Sequence, residues 1–247
     1  MTRKYKERRI YVDNTQVFNQ VVFFSPDNIH YLRNVLHMRL GEILTVLDGS
    51  YGYEVVLELG TAGELVGRIL SLRESVQIFP MTVCLAFGCV RPGPTEEILR
   101  HGTELGVEQF FPLILELSNR KPEVTSSRWG KIAESACAQS GRLKKPRIHD
   151  PLGLSTFLKT YSSTSKFIHL AMEDKVPPLL NVLDSLSTDS VTFVIGPEGG
   201  ITEQEQTILA QWRSVPASLG FTTLRAETAA LVAVGTTMNW GLCRFVH

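Results

Sequence analysis

At 247 residues, with 43% hydrophobic and 20% charged side chains, the chain can bury one large core or two smaller ones, and its composition excludes a disordered polypeptide. Apolar runs as short as Ala229–Val234 exclude a membrane-spanning helix, and the basic start at residues 1–13 is not followed by the apolar core of a secretory signal. The 25 basic and 25 acidic residues cancel, which neither requires nor excludes a nucleic-acid partner.

The first seventy or so residues read as a small β-rich unit. Residues 8–12 (RRIYV) and 20–24 (QVVFF) have the pattern of strands. Ser25-Pro26-Asp27 marks a helix start with Pro at the first helical position, and Ile29, Leu32, Val35 and Leu36 supply its apolar face. Residues 42–59 read as two strands around a turn that begins at Asp48-Gly49, and residues 65–74 as a further strand that closes the unit. The expected boundary gives domains of residues 1–74 and 75–247.

From Met81 the pattern alternates strand and helix. Residues 81–88 form a strand, Thr95 caps a helix that runs to Leu105, and Gly106 suits its left-handed end. Residues 109–117 follow as a strand. A helix from Ser126 or Ser127 carries Trp129, Ile132, Ala133, Ala136 and Cys137 on one face and ends at Gly141. Residues 165–172 and 190–196 are strands, and Thr202 with Glu205 makes a capping box. The last helix, near residues 226–242, is apolar nearly all round. This alternation predicts an α/β fold: a mostly parallel sheet with helices on both faces.

Four cysteines (Cys84, Cys89, Cys137, Cys243) read as buried reduced thiols, and neither they nor the six histidines, which carry no assigned role, show metal-ligand spacing. Trp129, Trp212 and Trp240 lie on apolar helix faces and suit a core or dimer contact. Two basic runs, Arg3, Lys4, Lys6, Arg8, Arg9 and Arg142, Lys144, Lys145, Arg147, are the local clusters able to grip phosphates. The same runs also suit an ordinary solvated surface.

Gly196-Pro197-Glu198-Gly199-Gly200 separates a buried strand from a helix, the place where parallel sheets hold ligands. It lacks the Lys-Ser/Thr of a P-loop, and the charge of Glu198 opposes a pyrophosphate. A carboxylate beside open backbone amides suits a ligand with hydroxyl, amine or cationic groups, although the same turn also occurs as a purely structural device. A second constellation, residues 218–231, brings Gly220, Arg225 and Glu227 to the start of the last helix, where Glu is favourable in any case.

Four blocks in this order, TELGVEQFFPL, RWGKIAESACAQSGR, IGPEGGITEQE and LRAETAAL, resemble the RsmE-type family of 16S ribosomal RNA uridine-N3 methyltransferases, of the SPOUT class. Residues 30–49 resemble that family's PUA-like RNA-binding domain, and the likeness runs from about Ile10 to Trp240. It implies a trefoil knot in the second domain, S-adenosylmethionine as cofactor, no metal, a homodimer, a 16S ribosomal RNA or small-subunit partner, and a cytoplasmic location. Carried over by motif, the cofactor would meet Leu170, Ala171 and Met172; Gly196, Pro197, Glu198, Gly199 and Gly200; and Leu219, Gly220, Leu224, Arg225, Glu227, Thr228 and Ala229. Arg225, Glu198 and Glu227 are the catalytic candidates, with Arg225 placed to hold the uracil and favour its anion. Arg8, Arg9, Arg33, Arg120, Gln139, Arg142, Lys144 and Lys145 are the RNA-binding candidates.

The chain departs from the family pattern at Arg100-His101 (commonly Gln-Lys), at Leu117 (an Arg) and at Phe221-Thr222-Thr223 (usually Pro-Arg-Ile). Two other classes remain: a catalytically inactive RNA-binding protein of the same fold, and a different nucleotide-binding α/β enzyme.

Overall fold

The computed structural model describes residues 8–73, 79–89, 91–118, 126–161, 165–171 and 175–245. The chain divides into two compact units, Met1–Gln77 with Glu134–Lys145, and Ile78–Ala133 with Pro146–His247.

The first unit holds β1 (Arg9–Tyr11), β2 (Val17–Phe18), β3 (Val21–Phe23), α1 (Pro26–Asn34), β4 (Ile43–Leu47), β5 (Gly52–Leu59) and β6 (Leu65–Arg73). The strands form one sheet in the order β1-β4-β5-β6-β3-β2, with β1 parallel to β4 and the other pairs antiparallel. Ser25 caps α1 through its hydroxyl, as its Ser-Pro-Asp start predicts. Leu32 is buried and Ile29 and Leu36 pack against the core, whereas Val35 is 54% exposed because it is already the C-cap. Burial pushes the pKa of the Tyr11 hydroxyl up to about 12.

The second unit holds β7 (Thr82–Gly88), α2 (Pro92–Glu104), β8 (Gln109–Ile114), β9 (Arg147–Ile148), β10 (Leu152–Gly153), α4 (Leu154–Tyr161), β11 (Lys166–Leu170), α5 (Leu179–Asp184), β12 (Ser190–Ile195), α6 (Glu203–Gln211), β13 (Val215–Ala217) and α7 (Ala226–Phe245). Helix α3 (Ser126–Ser140) begins among its residues. The strands pair in parallel in the order β10-β8-β7-β12-β11-β13, with β9 also on β8. The predicted parallel α/β sheet is therefore present.

Strand alternation explains the layering. Val83, Leu85 and Phe87 of β7 enter one core cluster with residues of α2, α5 and α7, while Cys84 and Ala86 enter another with residues of α4 and α6. Buried on both faces, β7 and β12 read as near-continuous apolar runs, interrupted in β12 by the buried Thr192, as parallel strands do.

Helix α2 starts at Pro92, not at Thr95, which is interior and 4% exposed. Pro92 sets the first helical φ without needing an amide partner, so the helix forms earlier than the capping hydroxyl predicts. Strand β8 stops at Ile114, and a turn then returns the Ser118 amide to the Leu115 carbonyl. Of the cysteines, Cys84, Cys89 and Cys137 are buried but Cys243 is exposed, on the solvent side of α7. No helix among the described residues is long and apolar enough to cross a membrane.

Candidate active site

The carboxyl ends of β12, β11 and β13 lie side by side, with β11 in the middle. Beyond them is a cavity of about 160 Å³, lined by strand ends Leu170, Ala171 and Ile195, by the glycine loop, by the segment after β13 and by the first turn of α7. Its walls mix aliphatic side chains (Ile195, Ile201, Leu219, Leu224) with exposed backbone at glycines. That chemistry accepts a flat apolar ring and offers amides and carbonyls to hydroxyls and amines.

Local bonds fix each wall. The Ala171 amide donates to the Ala217 carbonyl at 3.1 Å, tying β11 to β13 at the cavity's edge. The Gly200 amide donates to the Pro197 carbonyl at 2.8 Å, closing the glycine loop into a turn, and Gly200 at its end has a φ of +81°, a left-handed conformation that favours glycine. Behind the loop, Gly88 ends β7; a Cβ there would lie 2.7 Å from the Pro197 nitrogen, so only glycine lets the two backbones approach.

Glu205 is 7% exposed and holds two segments together. One carboxylate oxygen accepts the Thr202 amide at 3.0 Å as part of the capping box, and the other accepts the Glu116 amide at 2.9 Å. Leu117, in that same turn, packs against Gly199, where an added Cβ would meet the Leu117 Cβ at 2.9 Å.

Of the cofactor candidates, the structure gathers Leu170, Ala171, Gly196, Pro197, Glu198, Gly200, Leu219, Gly220, Leu224 and Ala229 on the cavity wall. Gly199, Arg225, Glu227 and Thr228 are not on it, and Met172 lies outside the described residues. The wall also includes Ile195, Ile201, Thr222, Thr223 and Ala226. Ile195 and Ile201 adjoin the predicted glycine loop, and Thr222, Thr223 and Ala226 lie within the 218–231 segment, so proximity in sequence was the available signal.

Arg225 precedes α7, its carbonyl accepting the Ala229 amide at 2.8 Å, and its side chain is exposed. Glu198 is exposed and Glu227 half-buried. None of these three side chains bonds or pairs with another described residue. Three candidate catalytic charges thus stand uncommitted around the cavity and the N-terminus of α7, whose first amides lack helical partners.

Within the first unit, Arg9 donates to the Gln139 carbonyl at 3.2 Å, Arg8 pairs with Glu42 at 3.0 Å and Lys145 pairs with Glu134 at 2.7 Å. Arg33, Gln139 and Lys144 are exposed. Arg142 is 2% exposed, so its side chain is structural in this fold and is not presented to a solvent-borne phosphate. Arg120, with Lys121, lies outside the described residues. Among the described residues no cluster of three or more His, Cys, Asp or Glu side chains is placed to hold a metal.

Residues 77–238 match the family model described as an RNA methyltransferase domain. The chain is 28% identical to ribosomal RNA small subunit methyltransferase E of Rickettsia conorii, over 93% of this chain and 94% of the relative. It is 30% identical to the protein of that name from Synechocystis sp., over 92% and 75%. Its fold is similar to that of a methyltransferase of Legionella pneumophila solved with its cofactor SAM (TM-score 0.83, 26% identity, 96% of this chain and 98% of that one). It is equally similar to ribosomal RNA small subunit methyltransferase E of Neisseria gonorrhoeae bound to S-adenosylmethionine (TM-score 0.83, 26% identity, 95% and 98%). With two-thirds of its length inside the domain model and near full-length likeness to these proteins, the chain belongs to the RNA methyltransferase family typified by ribosomal RNA small subunit methyltransferase E.

Proposed function

We propose that this protein transfers a methyl group from S-adenosylmethionine to N3 of a uridine in 16S ribosomal RNA, acting in the cytoplasm on the assembled small subunit. The observation that carries the reading is the cavity at three adjacent strand ends, walled by the glycine loop and by the segment leading into α7. Its chemistry fits the cofactor. Aliphatic walls at Leu219, Leu224 and Ile195 suit an adenine, glycine backbone suits the ribose and amino-acid groups, and Glu198 suits a positive charge. At about 160 Å³ the cavity is smaller than the roughly 300–1,000 Å³ of common ligand pockets, so part of a cofactor of this size would stand outside it.

When bound, the cofactor supplies a methyl group on a sulfonium whose departure leaves a neutral thioether, so the leaving group needs no metal. The chain's own residues then have two tasks. Uridine N3 must lose its proton before or as the N–C bond forms, and the resulting negative charge spreads over the uracil carbonyls. Arg225 would hold the base and stabilise that charge, aided by the unpaired amides at the N-terminus of α7. Glu198 or Glu227 would accept the proton or orient Arg225.

The first unit would serve as the PUA-like RNA-binding domain, within domains of about residues 1–74 and 75–247. Arg8, Arg9, Arg33, Lys144 and Lys145 would lie on the RNA. The second unit would carry the trefoil knot of the SPOUT class and pair as a homodimer.

The test is transfer from labelled S-adenosylmethionine to small ribosomal subunits that lack the uridine-N3 mark, followed by digestion to nucleosides. Label in 3-methyluridine is the expected result. Cofactor binding without label in any nucleoside would instead favour an inactive RNA-binding protein of this fold, and absence of cofactor binding would undo the reading of the cavity.

A further inference from the structure

Phe221 is the most exposed large apolar side chain among the described residues, at 106% against 65% for the next, Phe18. It stands between Gly220 and Thr222, both on the cavity wall, and four residues before Arg225. A phenylalanine wholly in water forgoes the stabilisation that burial gives, so its display at the rim of a reaction site calls for an occupant.

The backbone beneath it is pinned. The Ser218 hydroxyl donates to the Gly220 carbonyl at 3.2 Å and accepts the Gly220 amide at 3.3 Å. Gly220 itself adopts φ of +138°, a conformation that side chains rarely take. The surroundings are polar: Gly220, Thr222, Thr223 and Arg225 are all exposed. An interface between protein chains has a contiguous apolar core. A single exposed ring in a polar stretch of chain, four residues before an arginine with no partner among the described residues, lacks that core and has the form of a stacking platform for one base.

We propose that Phe221 stacks on a base of the substrate RNA, either the target uridine or its neighbour, and so sets how the nucleotide is presented to the cavity. The proposal rests on the reading of the cavity as a methyl-transfer site on RNA. Phe221 is then a substrate-positioning residue whose aromatic face, not its apolarity, does the work.

Steady-state methylation of unmethylated small ribosomal subunits by the full-length protein tests this, with saturating S-adenosylmethionine and three variants: Phe221→Ala, Phe221→Leu and Phe221→Trp. Stacking predicts that KM for the subunit rises about 5- to 150-fold in both Ala and Leu. Trp should stay near wild type, and cofactor affinity should be unchanged in all three. An unchanged KM in Phe221→Ala overturns the proposal. So does a Leu variant that behaves as wild type while Ala loses self-association in sedimentation, since that pattern makes Phe221 a contact with a second copy. A wild-type chain that binds cofactor but methylates no RNA removes the functional reading itself and the proposal with it.

Discussion

Arg225 and Glu198 illustrate how little of a side chain's role is written in its immediate bonds. Both are exposed and unbonded to other described residues, yet they flank a cavity whose other walls are fixed by backbone. If Arg225 stabilises the uracil anion, Arg225→Ala should lower kcat by about 10²–10³-fold, the usual loss for a single charge-stabilising donor. Isothermal titration should meanwhile show cofactor affinity intact; lost cofactor binding would assign the residue to the cofactor instead. His149 makes a prediction of another kind. Its ring stacks on Phe111 at 4.2 Å, its Nε2 meets the Gln109 amide oxygen at 2.9 Å, and the Tyr161 hydroxyl lies 3.3 Å from its Nδ1. That arrangement wants a neutral ring, and burial, helped by Arg147, holds its pKa below the ordinary 6.5. The unfolded chain therefore binds the extra proton first as pH falls. Stability contributed by this site is complete well above 6.5, declines as pH drops through that value, and levels off below the depressed folded value. The wild-type Tm should thus fall between pH 7.5 and pH 5.5 more than that of His149→Leu, as thermal denaturation at each pH would show.

At the scale of elements, the helix termini are where sequence and structure meet most closely. Thr202 with Glu205 makes the reciprocal bonds its spacing predicts, and Ser25 at the predicted helix start makes a like pair with Asn28, because capping is local chemistry. Glu205 also does what its spacing does not reveal, accepting the Glu116 amide from a turn 89 residues away in the chain. In Glu205→Gln only one oxygen remains to accept both amides, so one donor loses its partner at a partly buried site. A loss of about 1–3 kcal/mol in chemical denaturation is expected, with weaker cofactor binding as the 115–118 turn loosens from the glycine loop. The elements that escaped sequence reading were short. Helix α5 has six residues and α4 eight, too few for a 3.6-residue period to separate itself from a buried strand. The early start of α2 was hidden because Thr95 offers a cap that Pro92 makes unnecessary.

For the whole molecule, two of the strand ends that form the site were legible as glycine-bearing loops able to wall one pocket, but the order of the strands that brings them together was not. That β12 inserts beside β7, and that β13 lies on the far side of β11, follows from long-range packing, which leaves no periodic trace in the sequence. The burial of Arg142 was illegible for the same reason: a basic run looks alike whether its members face water or fold inward. The exposed pairs Arg8–Glu42 and Lys145–Glu134 are worth little in water, so their cations can exchange carboxylate for phosphate at small cost. Binding of small subunits between 50 and 200 mM salt should therefore be steep despite zero net charge. Each phosphate gripped adds roughly 0.7–0.9 to the slope of log affinity against log salt, and Lys144→Ala should flatten it by about that amount. The cavity walls begin at Leu170 and finish with Ala229 in the first turn of α7. A chain emerging from the ribosome thus completes its first unit, whose last segment ends at Lys145, well before any wall of the cavity exists. On the reading given above, the growing protein acquires its hold on RNA before its chemistry, and a product terminated ahead of α7 would compete for the substrate while lacking the means to modify it.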